Sequence, residues 1–192
     1  MKQGLFRLID SEIAKGKNGR IIIKTNSITE RDLIDKLMHA SCAGVQIDLI
    51  VRGICCILPG IPEKTENIRI TSIVGRFLEH SRIYCFGDGD LRQIYISSAD
   101  IMTRNQEHRV EIACPVLADE HRRWFSFYLE LLLTDNVKAR KLTSQGLYEK
   151  NLEANADLLD AQKYFIEHLI SFEKGGHKKK GIFETLLSKI FQ

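Results

Sequence analysis

A histidine and an arginine two residues apart give this chain its clearest chemical signal. His80 and Arg82 lie at the start of an apolar run that is typical of a strand. A neutral imidazole can accept a phosphoryl group or pass a proton to one, and a fixed cation beside it can hold the phosphate. Period-two alternation along a strand would place both side chains on one face. The pair predicts phosphoryl chemistry with His80 as the catalytic residue.

Polar residues also follow the ends of other apolar runs. Lys24 and Asn26 end the first run, and Arg52 ends the second, just before a bend at Gly53. Open α/β sheets bind ligands at the carboxyl ends of their strands, and a guanidinium grips phosphate oxygens at two points. We therefore expect one cation-rich cleft suited to a polyanion. The other candidate phosphate ligands are Arg76, Arg82, Ser98, Asp100, Arg104, Asn105 and Arg109. Asp100 is also expected to orient His80 or Arg82.

The elements that must position these residues alternate between strand and helix patterns. Strands are predicted at residues 20–24, 45–51, 68–74, 82–86, 94–98 and 110–113. Helices are predicted at residues 5–14, 30–43, 119–133, 158–172 and 182–191. Ser27 or Thr29 is the expected cap of the second helix, and residues 87–90 form the turn of a hairpin. The first strand–helix–strand unit implies a parallel pair joined by a crossover. The predicted fold is α/β, with a mixed sheet flanked by helices.

Composition limits the class of protein. The 192 residues are 44% hydrophobic, which is enough for a full core in one domain or two small ones. A net charge of +3 is too small to indicate nucleic-acid binding, so no nucleic-acid partner is expected. Five cysteines, an odd number within apolar segments, predict buried free thiols in a reducing compartment. No apolar run approaches the ~20 residues that span a bilayer, so a soluble cytoplasmic protein is expected, with peripheral contact to the inner membrane as an alternative.

Several short segments, taken in their order along the chain, resemble the sequences of one protein family. These are residues 48–56, the Leu58-Pro59-Gly60-Ile61-Pro62 segment, and residues 66–69, 72–76, 97–100, 102–105 and 109–111. Together they closely resemble the C-terminal catalytic domain of the large, polymer-making bacterial polyphosphate kinases, which has a phospholipase-D-like fold. The resemblance is strongest over residues 19–140. It implies that the chain corresponds to a fragment of a protein several times longer, with a domain at 1–142 and a helical extension at 143–192 that contains a basic linker near 174–181.

The resemblance also implies a function. Family enzymes reversibly transfer the terminal phosphate of ATP to inorganic polyphosphate and release ADP, through a phosphohistidine in a preceding catalytic domain. Arg52 and His80 match the family's ATP-contacting residues, so His80 is expected to act in acid–base catalysis and charge stabilisation. The implied partners are ATP or ADP, polyphosphate, the preceding domain and further copies of the full-length enzyme. The implied cofactor is Mg²⁺, held by the nucleotide and the other domain, with no metal ligands in this chain.

Two other functions remain open. A phospholipase-D-like phosphodiesterase carries His-x-Lys followed by four residues and Asp, but here Arg82 replaces the lysine and Gly87 stands at the aspartate position, one residue before Asp88. This departure counts against phosphodiester hydrolysis. A non-catalytic module that binds polyphosphate or nucleotide is the second alternative. The sequence contains no P-loop and no Cys/His spacing typical of a zinc site.

Overall fold

The structure is a computed structural model that describes residues 1–150 and 157–174. Its strands are β1 (Arg20–Thr25), β2 (Gln46–Val51), β3 (Ile68–Ile73), β4 (Arg82–Phe86), β5 (Gln93–Ser97), β6 (Ala113–Pro115), β7 (Ala139–Leu142) and β8 (Tyr148–Lys150). Its helices are α1 (Lys2–Ile13), α2 (Arg31–Cys42), α3 (Thr103–Glu107), α4 (Asp119–Thr134) and α5 (Ala161–Lys174). The strands form one mixed sheet in the order β6-β5-β4-β1-β2-β3-β7-β8. The predicted fold class is confirmed.

The strand directions bring several strand ends to one edge of the sheet. β1, β2 and β3 are parallel, and the β1–α2–β2 unit is the predicted crossover. β4 runs antiparallel to β1, with Ile83 opposite Lys24, and it forms the predicted hairpin with β5. The carboxyl ends of β1, β2, β3 and β5 therefore lie at the same edge as the first residue of β4. The candidate site residues lie in the loops of this edge.

Consecutive β-branched residues in β1 fill two apolar layers. Ile21 and Ile23 point to the face covered by α1 and α2, where they pack with residues such as Leu37. Ile22 points to the opposite face, which α4 and the start of α5 cover with residues such as Phe127. A strand buried on both faces reads as a continuous apolar run, which explains why β1 could be predicted from the sequence.

Some predicted elements were wrong in position or detail. The strand predicted at 110–113 begins only at Ala113, and Val110 is 99% exposed in the preceding loop. The cap of α2 is Glu30, whose side chain accepts hydrogen bonds from the backbone N–H of Asp32 (3.3 Å) and Leu33 (2.7 Å). Strands β7 and β8 and helix α3 were not predicted. The predicted helix at 182–191 and the basic linker beyond Lys174 lie outside the described residues.

The expectation of buried thiols holds for one cysteine. Cys85 lies in the central strand β4 and is fully buried, whereas Cys42, Cys56 and Cys114 are exposed and Cys55 is half-buried. The exposed thiols lie at the end of a helix, in a loop and in an edge strand, where an apolar neighbourhood in sequence does not imply burial in space.

No helix in the described part of the chain is long and apolar enough to cross a membrane.

The C-terminal part of the described chain is packed against the rest of the fold. Strand β8 pairs with β7, and Ala161 of α5 joins the apolar cluster of α4, so these two parts of the chain after position 142 pack on the same sheet. The boundary between domains at 142 stays a prediction.

Candidate functional site

The carboxylate of Asp100 is the centre of the site. Asp100 follows β5 and lies beside the end of β1, where it is only 7% exposed. Its Oδ1 accepts hydrogen bonds from Thr25 Oγ1 (2.9 Å), Asn26 N (2.8 Å), Asn26 Nδ2 (2.8 Å) and Arg82 Nε (3.1 Å). Its Oδ2 accepts one from Arg82 Nη2 at 3.0 Å. Asp100 thus ties together the ends of three strands.

The hydrogen bonds hold Asp100 in its charged form. Burial by itself would raise the pKa of Asp100, but the hydrogen bonds from Arg82, Asn26 and Thr25 outweigh it and lower that pKa to about 2. A carboxylate that accepts several hydrogen bonds is commonly stabilised in this way. Asp100 therefore remains a fixed negative charge that orients Arg82.

Arg82 in turn contacts His80 and holds the position of its imidazole ring. The guanidinium lies against the imidazole, with Arg82 Nη1 3.1 Å from His80 Nδ1 and Arg82 Nη2 3.3 Å from His80 Nε2. Arg82 Nη1 also donates to the backbone carbonyl of His80 at 3.1 Å. His80 is exposed and lies in the loop before β4, so the two residues meet by direct contact and not by strand alternation. As expected, Asp100 orients Arg82; its link to His80 runs through that arginine.

Arg52 joins the same network from the end of β2. Its Nε donates to Asn26 Oδ1 at 2.5 Å, and the Asn26 amide donates in turn to Asp100. The residue after Arg52 is Gly53, and its lack of a side chain lets the backbone after β2 lie close to the end of β1. A Cβ at position 53 would lie 2.7 Å from the backbone carbonyl oxygen of Asn26. Arg52, Asn26, Asp100, Arg82 and His80 therefore form one continuous chain of polar contacts. Of the residues expected to line one cleft, Arg52, His80 and Asp100 meet in this network, whereas Lys24 is buried below it; their roles in binding stay a prediction.

Lys24 lies beneath this chain of contacts and is only 1% exposed. Its Nζ lies 3.2 Å from Glu79 Oε2 and donates to the carbonyl of Ser81 at 3.4 Å. Burial lowers the pKa of Lys24, although the neighbouring Glu79 carboxylate opposes that shift. The ammonium group thus contacts the backbone beside His80, in a position where direct access to a ligand is limited.

The remaining candidates lie further out. Ser98 Oγ donates to Glu111 Oε2, and Asn105 Nδ2 donates to Glu111 Oε1 at 2.5 Å. The Ser98 hydrogen bond is the main reason that the pKa of Glu111 is lowered. These two residues therefore surround a carboxylate that the sequence did not single out. Arg76, Arg104 and Arg109 are exposed, and the Arg76 guanidinium lies 5.6 Å from the ring centre of Phe77.

No direct ligands of a magnesium ion can be assigned among the described residues. Within them, no group of three or more His, Cys, Asp or Glu side chains is placed to hold a metal ion. The two carboxylates nearest the network, Asp100 and Glu79, already accept hydrogen bonds from neighbouring side chains. The Mg²⁺ expectation is not tested by these residues.

Comparisons with known proteins identify the family of the chain. A family model described as Polyphosphate kinase C-terminal domain 2 matches residues 1–162. The chain belongs to this family. It is 47% identical over 165 residues to polyphosphate kinase from Bacillus cereus, which covers 84% of this chain and 24% of the relative. It is 48% identical over 167 residues to polyphosphate kinase from Staphylococcus epidermidis, which covers 85% of this chain and 23% of the relative.

Solved structures support the same family and fold. The crystal structure of polyphosphate kinase from Porphyromonas gingivalis aligns with a TM-score of 0.85 and 41% identity, covering 91% of this chain and 27% of that one. Nuc from Salmonella typhimurium, a phospholipase D family member, aligns with a TM-score of 0.53 and 15% identity over 71% of this chain and 90% of its own. The latter likeness shows the phospholipase-D-like fold alone. The chain spans about a quarter of the length of the polyphosphate kinases that it matches.

Proposed function

We propose that this chain forms one part of the site of a polyphosphate kinase, which reversibly transfers the terminal phosphate of ATP to inorganic polyphosphate. The observation that carries the proposal is the continuous polar chain from Arg52 to His80 at the carboxyl edge of the sheet. Two guanidinium groups lie around the single Asp100 carboxylate, so the site keeps a positive charge that suits phosphate. Family membership supports a phosphotransferase over other phosphate-binding proteins.

Each residue of the network has a distinct role in this proposal. The Arg52 guanidinium is oriented through its Nε by Asn26, and its terminal nitrogens bind phosphate oxygens of the nucleotide. His80 is exposed at the edge and exchanges a proton with the transferring phosphate; such a group commonly contributes ~10²–10⁴-fold. Arg82, anchored by Asp100, supports the imidazole and stabilises negative charge in the transition state.

The rest of the site is supplied from elsewhere in the enzyme. In this proposal the phosphorylated histidine belongs to a preceding catalytic domain and faces His80 across the cleft. Magnesium would enter with the nucleotide and supply charge neutralisation of its phosphates. In this proposal neither group takes a ligand from Asp100 or Glu79, whose carboxylates already accept hydrogen bonds from neighbouring side chains.

A chimera tests the proposal. The chain replaces the matching C-terminal segment of Bacillus cereus polyphosphate kinase, and ATP-dependent polymer formation is measured. We expect synthesis in the chimera, and a loss of roughly 100-fold or more on His80→Ala or Arg52→Ala, since each removes a group that acts on the transferring phosphate. Thermal unfolding should be unchanged, because both side chains lie at the polar edge outside the two apolar layers.

Matched controls come from α2. His39→Ala and Arg31→Ala alter exposed residues of the same types, and the Arg31 side chain is 91% exposed. Both controls should retain the activity of the unmodified chimera. An unmodified chimera without synthesis, or a His80→Ala chimera as active as His39→Ala, would contradict the proposal. Release of nitrophenol from bis-nitrophenyl phosphate by the chain would favour the phosphodiesterase alternative.

A further inference from the structure

The loop that carries His80 joins β3 to β4 and spans residues 74–81; we call it the His80 loop. Its apolar side chains contribute little to holding it in place, since Val74 is 71% exposed, Phe77 50% and Leu78 70%. Exposed loops with few apolar contacts belong to the least stable parts of a protein. A catalytic imidazole in such a loop needs polar anchors if its position is to be defined.

The first anchor is Gln162, which lies in the first turn of α5. Its Oε1 accepts a hydrogen bond from the backbone N–H of Phe77 at 2.9 Å, and its Nε2 donates to the Phe77 carbonyl at 2.9 Å. The side-chain amide therefore pairs with the backbone of one loop residue from both sides, as a neighbouring strand would. The second Nε2 hydrogen bond, at 2.7 Å, goes to Glu79 Oε1, next to His80.

Glu79 extends the anchoring to the sheet. Its Oε2 lies 3.2 Å from Lys24 Nζ and accepts a hydrogen bond from Tyr128 OH at 3.1 Å. Burial raises the pKa of Tyr128, so the hydroxyl remains a donor to this carboxylate. Lys24 also donates to the carbonyl of Ser81. The loop is thus bonded at Phe77, Glu79 and Ser81, on both sides of His80.

Gly75 makes room for this arrangement. A Cβ at position 75 would lie 2.5 Å from Gln162 Oε1 and 2.9 Å from its Cδ. The backbone conformation of Gly75 does not require a glycine, because its φ is not positive. A side chain at position 75 would therefore displace the Gln162 amide from its contacts with the loop.

We propose that Gln162 is a positioning residue for His80, and that it acts by clamping the His80 loop through Phe77 and Glu79. The inference rests on the proposed function for the meaning of His80, but the clamp itself is independent of it. α5 then has a role in the site although it lies about 80 residues from His80 in sequence and contributes no group that touches the phosphate.

Hydrogen exchange and ligand binding in the chain itself test the clamp. Gln162→Ala removes both amide donors and also the Oε1 acceptor of the Phe77 N–H, so it is the variant in which Phe77 exchange is measured. Gln162→Glu keeps an acceptor for that N–H, but it removes both donors and faces Glu79 with a like charge. We expect the Phe77 amide to exchange about tenfold faster or more, while amides of β1 and β2 keep their rates. Affinity for inorganic tripolyphosphate should fall about tenfold, because a mobile His80 no longer keeps one position beside the Arg82 guanidinium, which Asp100 still holds. The control is Lys163→Ala, an exposed neighbour on α5, which should change neither quantity.

Gly75→Ala tests the same contact between Gln162 and the His80 loop by a change in the loop. The new methyl group displaces the Gln162 amide, so the variant should reproduce the faster exchange and the weaker binding of Gln162→Ala. In the double variant the clash is absent, and adding Gly75→Ala to Gln162→Ala should have no further effect. Such non-additivity is the signature of two residues that act through one contact. Effects that add would contradict the clamp.

The outcomes separate the two proposals. A wild-type chain that binds no tripolyphosphate contradicts the phosphate affinity expected of its part of the site, and the exchange rates then decide the clamp alone; the proposed function itself is overturned by an inactive unmodified chimera. Unchanged exchange of Phe77 in Gln162→Ala overturns the clamp whatever the binding result. Faster exchange with unchanged tripolyphosphate affinity would show that Gln162 supports the loop structurally, and would overturn its positioning role.

Discussion

At the scale of single residues, the site depends on one carboxylate that organises two arginines and a histidine. Asp100 binds Arg82 directly and Arg52 through Asn26, so its negative charge fixes both guanidinium groups. Without it the two cations would be held by flexible side chains, each of which loses considerable rotamer entropy when ordered. The preorganised cations then need no rearrangement when a phosphate arrives.

Acid should weaken the fold through Asp100. Because its pKa in the folded chain is about 2, below the ordinary value, the stabilisation is complete above about pH 4 and is lost as the pH falls toward 2. Asp100→Asn cannot lose a charge in this range. We expect the wild-type chain to lose about 2 kcal/mol more stability than Asp100→Asn between pH 4 and pH 2. Urea unfolding at both pH values measures this difference. An equal loss of unfolding free energy in the wild-type chain and in Asp100→Asn would contradict the prediction.

Residue types and their spacing were sufficient to predict part of the site. Arg52, His80 and Asp100 follow or precede strands, and strand ends at one edge must meet. The sequence could not show that Lys24 is buried against Glu79, since burial depends on which loop folds over the strand. Gln162 gave no signal, because its contacts with Phe77 and Glu79 cross more than 80 positions of sequence.

At the scale of elements, strands with buried faces were predicted better than edges and caps. β1 and β2 are rich in Ile, Leu and Val, and β4 combines one Ile with Tyr, Cys and Phe; β-branched and aromatic runs of this length favour strands. Val110 and Ile112 look like strand residues but are exposed, and the paired segment begins after them at Ala113. Propensity favours strand at such residues, whereas hydrogen bonding to a neighbour decides the outcome.

The cap of α2 is an element-scale feature that can be tested. Glu30 is buried, accepts two backbone N–H groups at the start of the helix and pairs with Lys2 of α1 at 2.9 Å. We expect Glu30→Ala to lower the free energy of unfolding by about 1–2 kcal/mol. Asp35→Ala, an exposed change within the same helix, should stay within about 0.5 kcal/mol. Equal effects in chemical denaturation would show that Glu30 is not a stabilising cap.

At the scale of the whole molecule, the cationic network lies at an open edge of the sheet. His80 is exposed, and Arg52 is half-buried in the adjoining loop. Water therefore reaches the site and screens charge interactions between these residues and a phosphate. A chain that spans about a quarter of its relatives' length presents the site in this open form. We expect binding of ATP or polyphosphate by the chain to be weak and to fall with added salt.

The last prediction concerns phosphoryl transfer by the chain alone. Transfer requires a nucleophile in line with the leaving group, and in the proposed function the phosphorylated histidine belongs to a preceding domain. Incubated with γ-labelled ATP and magnesium, the chain should make no polyphosphate and should retain no acid-labile label on an alkaline gel. Mixing it with the remaining segment of Bacillus cereus polyphosphate kinase is the matched comparison. Label that stays on the chain and disappears in His80→Ala would show that His80 is itself the nucleophile, because a group that only transfers protons forms no bond to phosphorus.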